Sequence, residues 1–306
     1  MTRTVTAGLD GTPESLAAAD WAAREALLRG LPLRLVNAWE GRLPTCGPAS
    51  GRSVPVLPGD RRRAGARRLL DEARTRVGRG RPGLRIEADD ISGPPVPALL
   101  QAAEDADPLV LGSRGWGRLS GFLVGSVALS VLAGSEGPVV LVRADEHTDG
   151  ERLPDAPPSG TRTAAAPEEV VLGLDLQKPS DQVMEFAFDA ARRRGADLRV
   201  VHGWTVPPYY YGGDLMPEAN VESTMRVQRG LADALRPWQR KFPTVEVRTQ
   251  ATVGGAGPHL IDASRDAALV VVGRHIRQAA VGPHIGPVTQ ALLHHAAAPV
   301  AVIPHH

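Results

Sequence analysis

Residues Arg34-Leu-Val-Asn-Ala-Trp39 return as Arg199-Val-Val-His-Gly-Trp204, at an offset of 165 positions. Leu9-Asp10 and Leu174-Asp175 stand at the same offset. Further along, Leu109-Val-Leu-Gly112 pairs with Val270-Val-Val-Gly273, and Gly137-Pro-Val-Val-Leu-Val142 pairs with Ala298-Pro-Val-Ala-Val-Ile303, both at 161. Two halves with matching punctuation describe one duplicated domain rather than a solenoid of short repeats. A chain of 306 residues also suits two domains better than one core.

The predicted boundaries are a first domain over 1–144, a linker over 145–167 and a second domain over 168–306. The linker is polar and rich in proline, with Pro154, Pro157, Pro158 and Pro167, and it shows no hydrophobic period.

Within the first half, short apolar runs alternate with helical patterns. Strands are expected over Thr4–Leu9, Leu33–Ala38, Leu84–Ala88, Leu109–Leu111 and Val139–Val142. The first helix should start with Thr12 as N-cap and Pro13 at its first position, and stop at Gly30. Further helices are expected over Arg61–Val77, Pro97–Glu104 and Gly125–Ala133. Continuous apolar strands separated by helices imply a parallel sheet covered on both faces. The fold class is α/β: two tandem doubly wound, five-stranded, parallel-sheet domains of Rossmann-like type, which bind ligands beyond the carboxyl ends of the strands.

Composition excludes several functions. The hydrophobic fraction is 42% and the formal net charge is +1, so the chain has globular cores and no global field for nucleic acid. Lys178 and Lys241 are the two lysines, so the first half holds neither a P-loop lysine nor a Schiff-base lysine. The single cysteine, Cys46, excludes an intrachain disulfide framework. The apolar runs are too short for a membrane span, and the N-terminus lacks a signal-peptide pattern, so a cytoplasmic protein is expected.

Three segments should converge at the ligand edge of the first domain. Gly8-Leu9-Asp10 ends the first strand, Asn37-Ala38-Trp39 ends the second, and Gly112-Ser-Arg114-Gly115 follows the fourth and leads to Gly125-Ser126-Val127. The spacing is G-x2-G-x9-G-S. Glycines there let backbone N–H groups approach phosphate oxygens without a Cβ in the way. Gly125, Ser126 and Val127 would offer amides and a hydroxyl at the positive end of a helix. Asp10 could contact the ribose or base side, help hold a metal ion, or cap the following helix. The backbone at Ala38 could read the adenine edge, and Arg114 and Arg118 could neutralise phosphates or face solvent.

On these residues the first half resembles a universal stress protein domain of the ATP-binding subgroup. The family pattern is complete at Gly112, Gly115, Gly125 and Ser126, and the family's opening strand is similar to Thr6-Ala-Gly-Leu-Asp10-Gly-Thr12. The resemblance implies ATP as ligand, with Mg2+ as an optional companion, and a closing strand at Pro138–Val142 that pairs across a dimer interface. It also implies that nucleotide often survives purification.

The second half departs from the pattern. Gly273 and Gly286 remain, but Ile276 stands where the second glycine is expected and Pro287 where the serine is. Ile276 would be costly at positive φ and would crowd a phosphate, while Pro287 removes both an N–H and a hydroxyl. Asp175, Gly203, Gly273 and Gly286 therefore form at most a weaker second site, with His275 and His284 as added groups near an anion.

Other clusters invite plainer explanations. Arg61, Arg62, Arg63, Arg67 and Arg68 form a solvated helix face with Asp71 and Glu72 as counterions, or a dock for an acidic partner. Adjacent pairs His294-His295 and His305-His306 do not put two rings on one helix face, so no metal is expected. Tyr209-Tyr-Tyr211 fits a packed loop or a cover over a site.

Three functions remain open. The first is an ATP-responsive regulatory binding module, its two domains paired through their last strands as an internal pseudo-dimer, with further homodimerisation open. The second is a slow metal-assisted ATPase, and the third a structural partner protein without ligand. No catalytic residue is assigned.

Overall fold

The computed structural model describes residues 3–40, 59–113, 125–144, 169–204, 217–276 and 285–306, with residues 217–222 described for backbone only. The chain divides into two compact units, Met1–Ala144 and Asp145–His306. Residues 145–167, expected to be a linker, lie outside the described residues, as do Cys46 and Tyr209–Tyr211.

The first unit contains β1 (Thr4–Gly8), α1 (Pro13–Arg29), β2 (Leu33–Trp39), α2 (Gly59–Gly78) and β3 (Ile86–Ser92). It continues with α3 (Pro95–Glu104), β4 (Ala106–Ser113), α4 (Ser126–Gly134) and β5 (Val139–Arg143). The strand order is β3-β2-β1-β4-β5, and every described pair is parallel. The chain first moves outward from β1 to β3, then crosses back to β4 and on to β5. Crossovers of one hand therefore put α1 and α2 on one face and α3 and α4 on the other. The reversal between β1 and β4 is the switch point at which such sheets open a crevice.

Local chemistry explains α1 closely. Thr12 is the N-cap and accepts from the Ser15 amide at 3.3 Å, Pro13 occupies the first turn, and Gly30 ends the helix in the left-handed region at φ 66°. Some boundaries differ from the sequence expectation. The third strand begins at Ile86 and runs to Ser92, because Leu33 to Trp39 offer it a full-length parallel partner. Helix α3 starts at Pro95, where proline suits a first helical turn. Strand β4 continues through Gly112 to Ser113, paired with Val142 and Arg143.

The second unit repeats the plan with β6 (Glu169–Gly173), α5 (Asp181–Arg194), β7 (Leu198–Trp204), α6 (Pro217–Lys241) and β8 (Val247–Val253). Then follow α7 (Ala256–Ala263), β9 (Ala267–His275), α8 (Pro287–His295) and β10 (Val300–His305). The order within the unit is β8-β7-β6-β9-β10, again with every described pair parallel. Its core includes Leu172, Leu198, Leu231 and Leu235, and Phe188 stacks on Trp238 and Phe242 with centroids 6.2 and 5.6 Å away. Each fully buried leucine contributes about 1.5–3 kcal/mol relative to an exposed one.

One difference between the units reshapes the ligand edge. Helix α1 has 17 residues and starts at Pro13, whereas α5 has 14 and starts at Asp181, capped by Ser180. Ser180 is the counterpart of Ser15, so the first turn of α1 has no helical equivalent in the second unit.

Candidate functional site

In the first unit the ends of β1, β2 and β4 stand side by side. The Leu9 amide donates to the Val36 carbonyl at 2.8 Å, and the buried Asn37 side chain donates to the Leu9 carbonyl at 2.7 Å. Asp10 is exposed; its Oδ1 accepts from the Thr12 amide at 3.0 Å and from the Thr12 hydroxyl at 2.6 Å. Asp10 thus closes the turn that presents Thr12 as the cap of α1, rather than capping the helix itself. Ala38 lies in β2 opposite Ile91.

The predicted glycines divide by what a side chain would meet. A Cβ at Gly8 would lie 2.6 Å from the Leu111 side chain and 2.9 Å from that of Leu99. A Cβ at Gly112 would lie 2.6 Å from the backbone of both Glu14 and Ser15. Both residues are glycine because neighbours press on them, and Gly112 sits in a regular strand rather than in a turn. Gly125 is different: it caps α4 at φ −54° and ψ 140° without a side-chain hydrogen bond, and a Cβ there would meet nothing within 4 Å. Ser126, which is exposed, and Val127 follow at the first two helical positions, whose amides have no intrahelical acceptor. Arg114, Gly115 and Arg118 lie outside the described residues.

Two polar atoms at this edge are orphaned. Trp39 Nε1 and Ser113 Oγ, at the carboxyl ends of β2 and β4, are buried with no hydrogen-bond partner among the described residues. An unsatisfied buried polar group costs about 1–3 kcal/mol.

The second unit keeps the frame and changes the contents. His202 replaces Asn37, and its Nδ1 stands 2.8 Å from the Leu174 carbonyl, the same bridge in the same place. The carbonyl can only accept, so Nδ1 carries the proton. Asp175 repeats the turn of Asp10, its Oδ1 accepting from the Gln177 amide at 2.9 Å. A Cβ on Gly203 would lie 2.5 Å from the Ala256 amide nitrogen, so this glycine admits the start of α7.

The segment directly after β9 is engaged with the sheet. The Ile276 amide donates to the His305 carbonyl at 2.7 Å, so the sheet ladder extends past β9 and consumes that N–H. The room left by the missing first turn of α5 is taken by His305: a Cβ on Gly273 would lie 2.7 Å from His305 Nε2. Gly286 caps α8 at φ −64° with an open surrounding, and Pro287 at the first helical position deletes one amide, as its chemistry requires.

These pieces line a cavity of about 450 Å³ at the carboxyl edge of the second unit, with Asp175, Lys178, His202, His275 and His305 among its walls. The His275 and His305 rings meet edge-on with centroids 5.5 Å apart. Burial pushes the His305 imidazole below its ordinary value; the hydrogen bond to the His306 backbone and the Asp175 carboxylate oppose this, and the neighbouring His275 and Arg274 add to it. Burial likewise lowers the Arg274 guanidinium. Sequence reasoning missed His202, Lys178 and His305 as site residues. The aligned repeat carries a signal for His202 alone, which stands where Asn37 does.

The arginine face of α2 pairs with the expected Glu72 and also with Asp90, which the sequence reading did not name. Arg63 and Arg67 both bind the Asp90 carboxylate, at 2.8 and 3.2 Å, and Arg68 pairs with Glu72 at 2.9 Å. Asp90 comes from β3 and holds this face to the sheet, and the Arg63 hydrogen bond is the main cause that lowers its carboxyl below the usual range. Among the described residues no helix is long and apolar enough to cross a membrane.

The fold defines a tandem α/β protein with one switch point per unit. The model of the universal stress protein family matches residues 1–143 and 168–304, and the chain belongs to that family, with two of its domains in tandem. It is 31% identical to the universal stress protein Rv2005c of Mycobacterium tuberculosis (strain H37Rv) over 97% of this chain and 96% of that one. It is 30% identical to the universal stress protein Rv1996 of the same organism, covering 97% and 94%. The crystal structure of a universal stress protein from Archaeoglobus fulgidus superposes with a TM-score of 0.60 at 15% identity, over the whole of both chains, a likeness of fold. A universal stress protein solved in complex with cAMP is 27% identical over 47% of this chain and 98% of its own, with a TM-score of 0.34.

Proposed function

We propose that the first unit binds ATP and that the chain is a nucleotide-responsive regulatory module of the cytoplasm. The observation that carries this is the start of α4: its N-cap Gly125 makes no side-chain cap bond and a Cβ there would meet nothing within 4 Å among the described residues, with the exposed Ser126 hydroxyl beside it. Helix starts of this kind hold phosphate oxygens through free amides and the helix dipole. The orphaned Trp39 Nε1 and Ser113 Oγ add two unsatisfied polar atoms at the same edge. Leu9, Asp10 and Ala38 would bound the nucleoside side, and Gly112, Arg114, Gly115 and Val127 the phosphate side. Mg2+ would then be held mainly by the phosphates, because Asp10 Oδ1 is already engaged with Thr12.

The second unit binds ATP weakly or not at all. One amide is committed to the sheet through Ile276, one is absent at Pro287, and His305 occupies the space over Gly273. The functional domains are 1–144 and 168–306, joined by a linker over 145–167. Their apolar last strands, β5 and β10, would pair the two domains as an internal pseudo-dimer, since such edges need a partner. Binding and turnover measured together test the assignment. Stoichiometric ATP binding without sustained ADP release supports a regulatory module, whereas steady turnover lost in Asp10→Ala would identify an ATPase.

A further inference from the structure

The second cavity is more than a damaged copy of the first. Its walls were rebuilt in three ways. The shortened start of α5 opens the β6–α5 loop and brings Lys178 to the rim. His305 swings over Gly273 into the vacated space. His202 replaces an amide with an imidazole that keeps the structural bridge. Each change removes a contact suited to a triphosphate or adds a group that can carry positive charge.

We propose that this cavity is a separate binding site for a small organic anion, an apolar body bearing one phosphate monoester or carboxylate, held by His275, His305 and Lys178. A volume of about 450 Å³ lies in the range of small-molecule sites and suits a ligand with a single ring and one anionic group. The inner walls are apolar, formed by Leu174, Leu260 and Val272, and would cover the ligand body. The outer wall is basic. His275 and Lys178 are exposed at the mouth, and His305 is half-buried behind them.

The two imidazoles already have their Nδ1 atoms turned to backbone carbonyls, that of Ile276 at 3.1 Å and that of His306 at 3.4 Å. Protonation at Nε2 would then add a charge without loss of those contacts. Among the described residues, the groups that face this pair are Asp175 and Lys178 from the β6–α5 loop, Arg274 from β9, His202 from β7 and His306 beyond β10. Asp175 is the carboxylate among them, set against one lysine and one arginine, so the mouth attracts anions once the imidazoles charge. Binding therefore takes up protons.

The test titrates the full-length chain, freed of nucleotide, with phenyl phosphate and with benzoate, following the imidazole C2–H resonances at constant pH. The expected result is saturation with a Kd below about 1 mM for at least one probe, with the His275 and His305 resonances moving toward their protonated positions. Saturation by phenyl phosphate alone assigns a phosphate monoester, and by benzoate alone a carboxylate; saturation by both assigns a site open to either. The double variant His275→Gln/His305→Gln should bind at least about ten-fold more weakly, and the exposed Lys178→Gln, which does not bear on folding, several-fold more weakly. No saturation by either probe, or binding unchanged in Lys178→Gln and in the folded double variant, overturns the proposal.

Discussion

The Ile276 amide donates to the His305 carbonyl at 2.7 Å, at the position where the first half of the sequence carries Gly115. Where the repeat calls for a glycine with an amide available to phosphate, the second unit continues its sheet. His305 then lies over Gly273, in room released by a helix that starts one turn late. On the proposed reading, the weaker phosphate grip and the histidine wall of the second unit share one structural origin.

The two glycines that bound the proposed phosphate site should respond differently to alanine. Gly112→Ala puts a Cβ 2.6 Å from the α1 backbone and should destabilise the first unit by about 1–3 kcal/mol in denaturant unfolding. Gly125→Ala meets nothing within 4 Å and should change stability by less than about 1 kcal/mol. ATP affinity should fall in Ser126→Ala by about ten-fold with stability nearly unchanged, as expected when one hydrogen bond to a charged group is lost.

Asn37 and His202 perform the same task on Leu9 and Leu174. Replacement of the imidazole by an amide, His202→Asn, should keep the bridge and cost less than about 1 kcal/mol. His202→Leu leaves the Leu174 carbonyl without that donor and should cost about 1–3 kcal/mol. Thermal and denaturant unfolding of both variants distinguishes a bridging role from simple space filling.

Stability of the second unit should carry a histidine signature. Burial lowers the His305 pKa in the folded state, so the unfolded chain binds that proton more tightly. The folded state therefore keeps its full advantage above the ordinary histidine value of about 6.5 and loses it as pH falls through the lower folded value. Unfolding curves at descending pH should show a loss that His305→Gln reduces, relative to its own stability near neutral pH. An equal loss in both proteins would mean that other groups control the acid limb.

Much of the fold was legible because the repeat aligns its own punctuation. Thr12, Pro13 and Gly30 act at the start and end of α1 as their chemistry predicts, and Gly195 ends α5 in the same left-handed conformation at φ 60°. The limits of β3 were less legible, since Glu87, Asp89 and Asp90 interrupt the apolar run and partial burial beside β2 decides the strand. The sequence named the residues of the candidate site but not what holds two of its glycines in place. Gly8 and Gly112 are written like ligand glycines and are held by packing against Leu111, Glu14 and Ser15. The second cavity was hidden because its histidines come from distant segments, and because a helix shortened by one turn leaves little trace in the local pattern.

The most direct measurement is calorimetric titration of the nucleotide-free full-length chain with ATP and Mg2+, in the native sequence and in Gly115→Ile. One ATP per chain, with most of the binding abolished by Gly115→Ile, is the predicted result. Two ATP per chain at equal affinity, or binding that survives Gly115→Ile intact, would contradict the assignment of the nucleotide to the first unit.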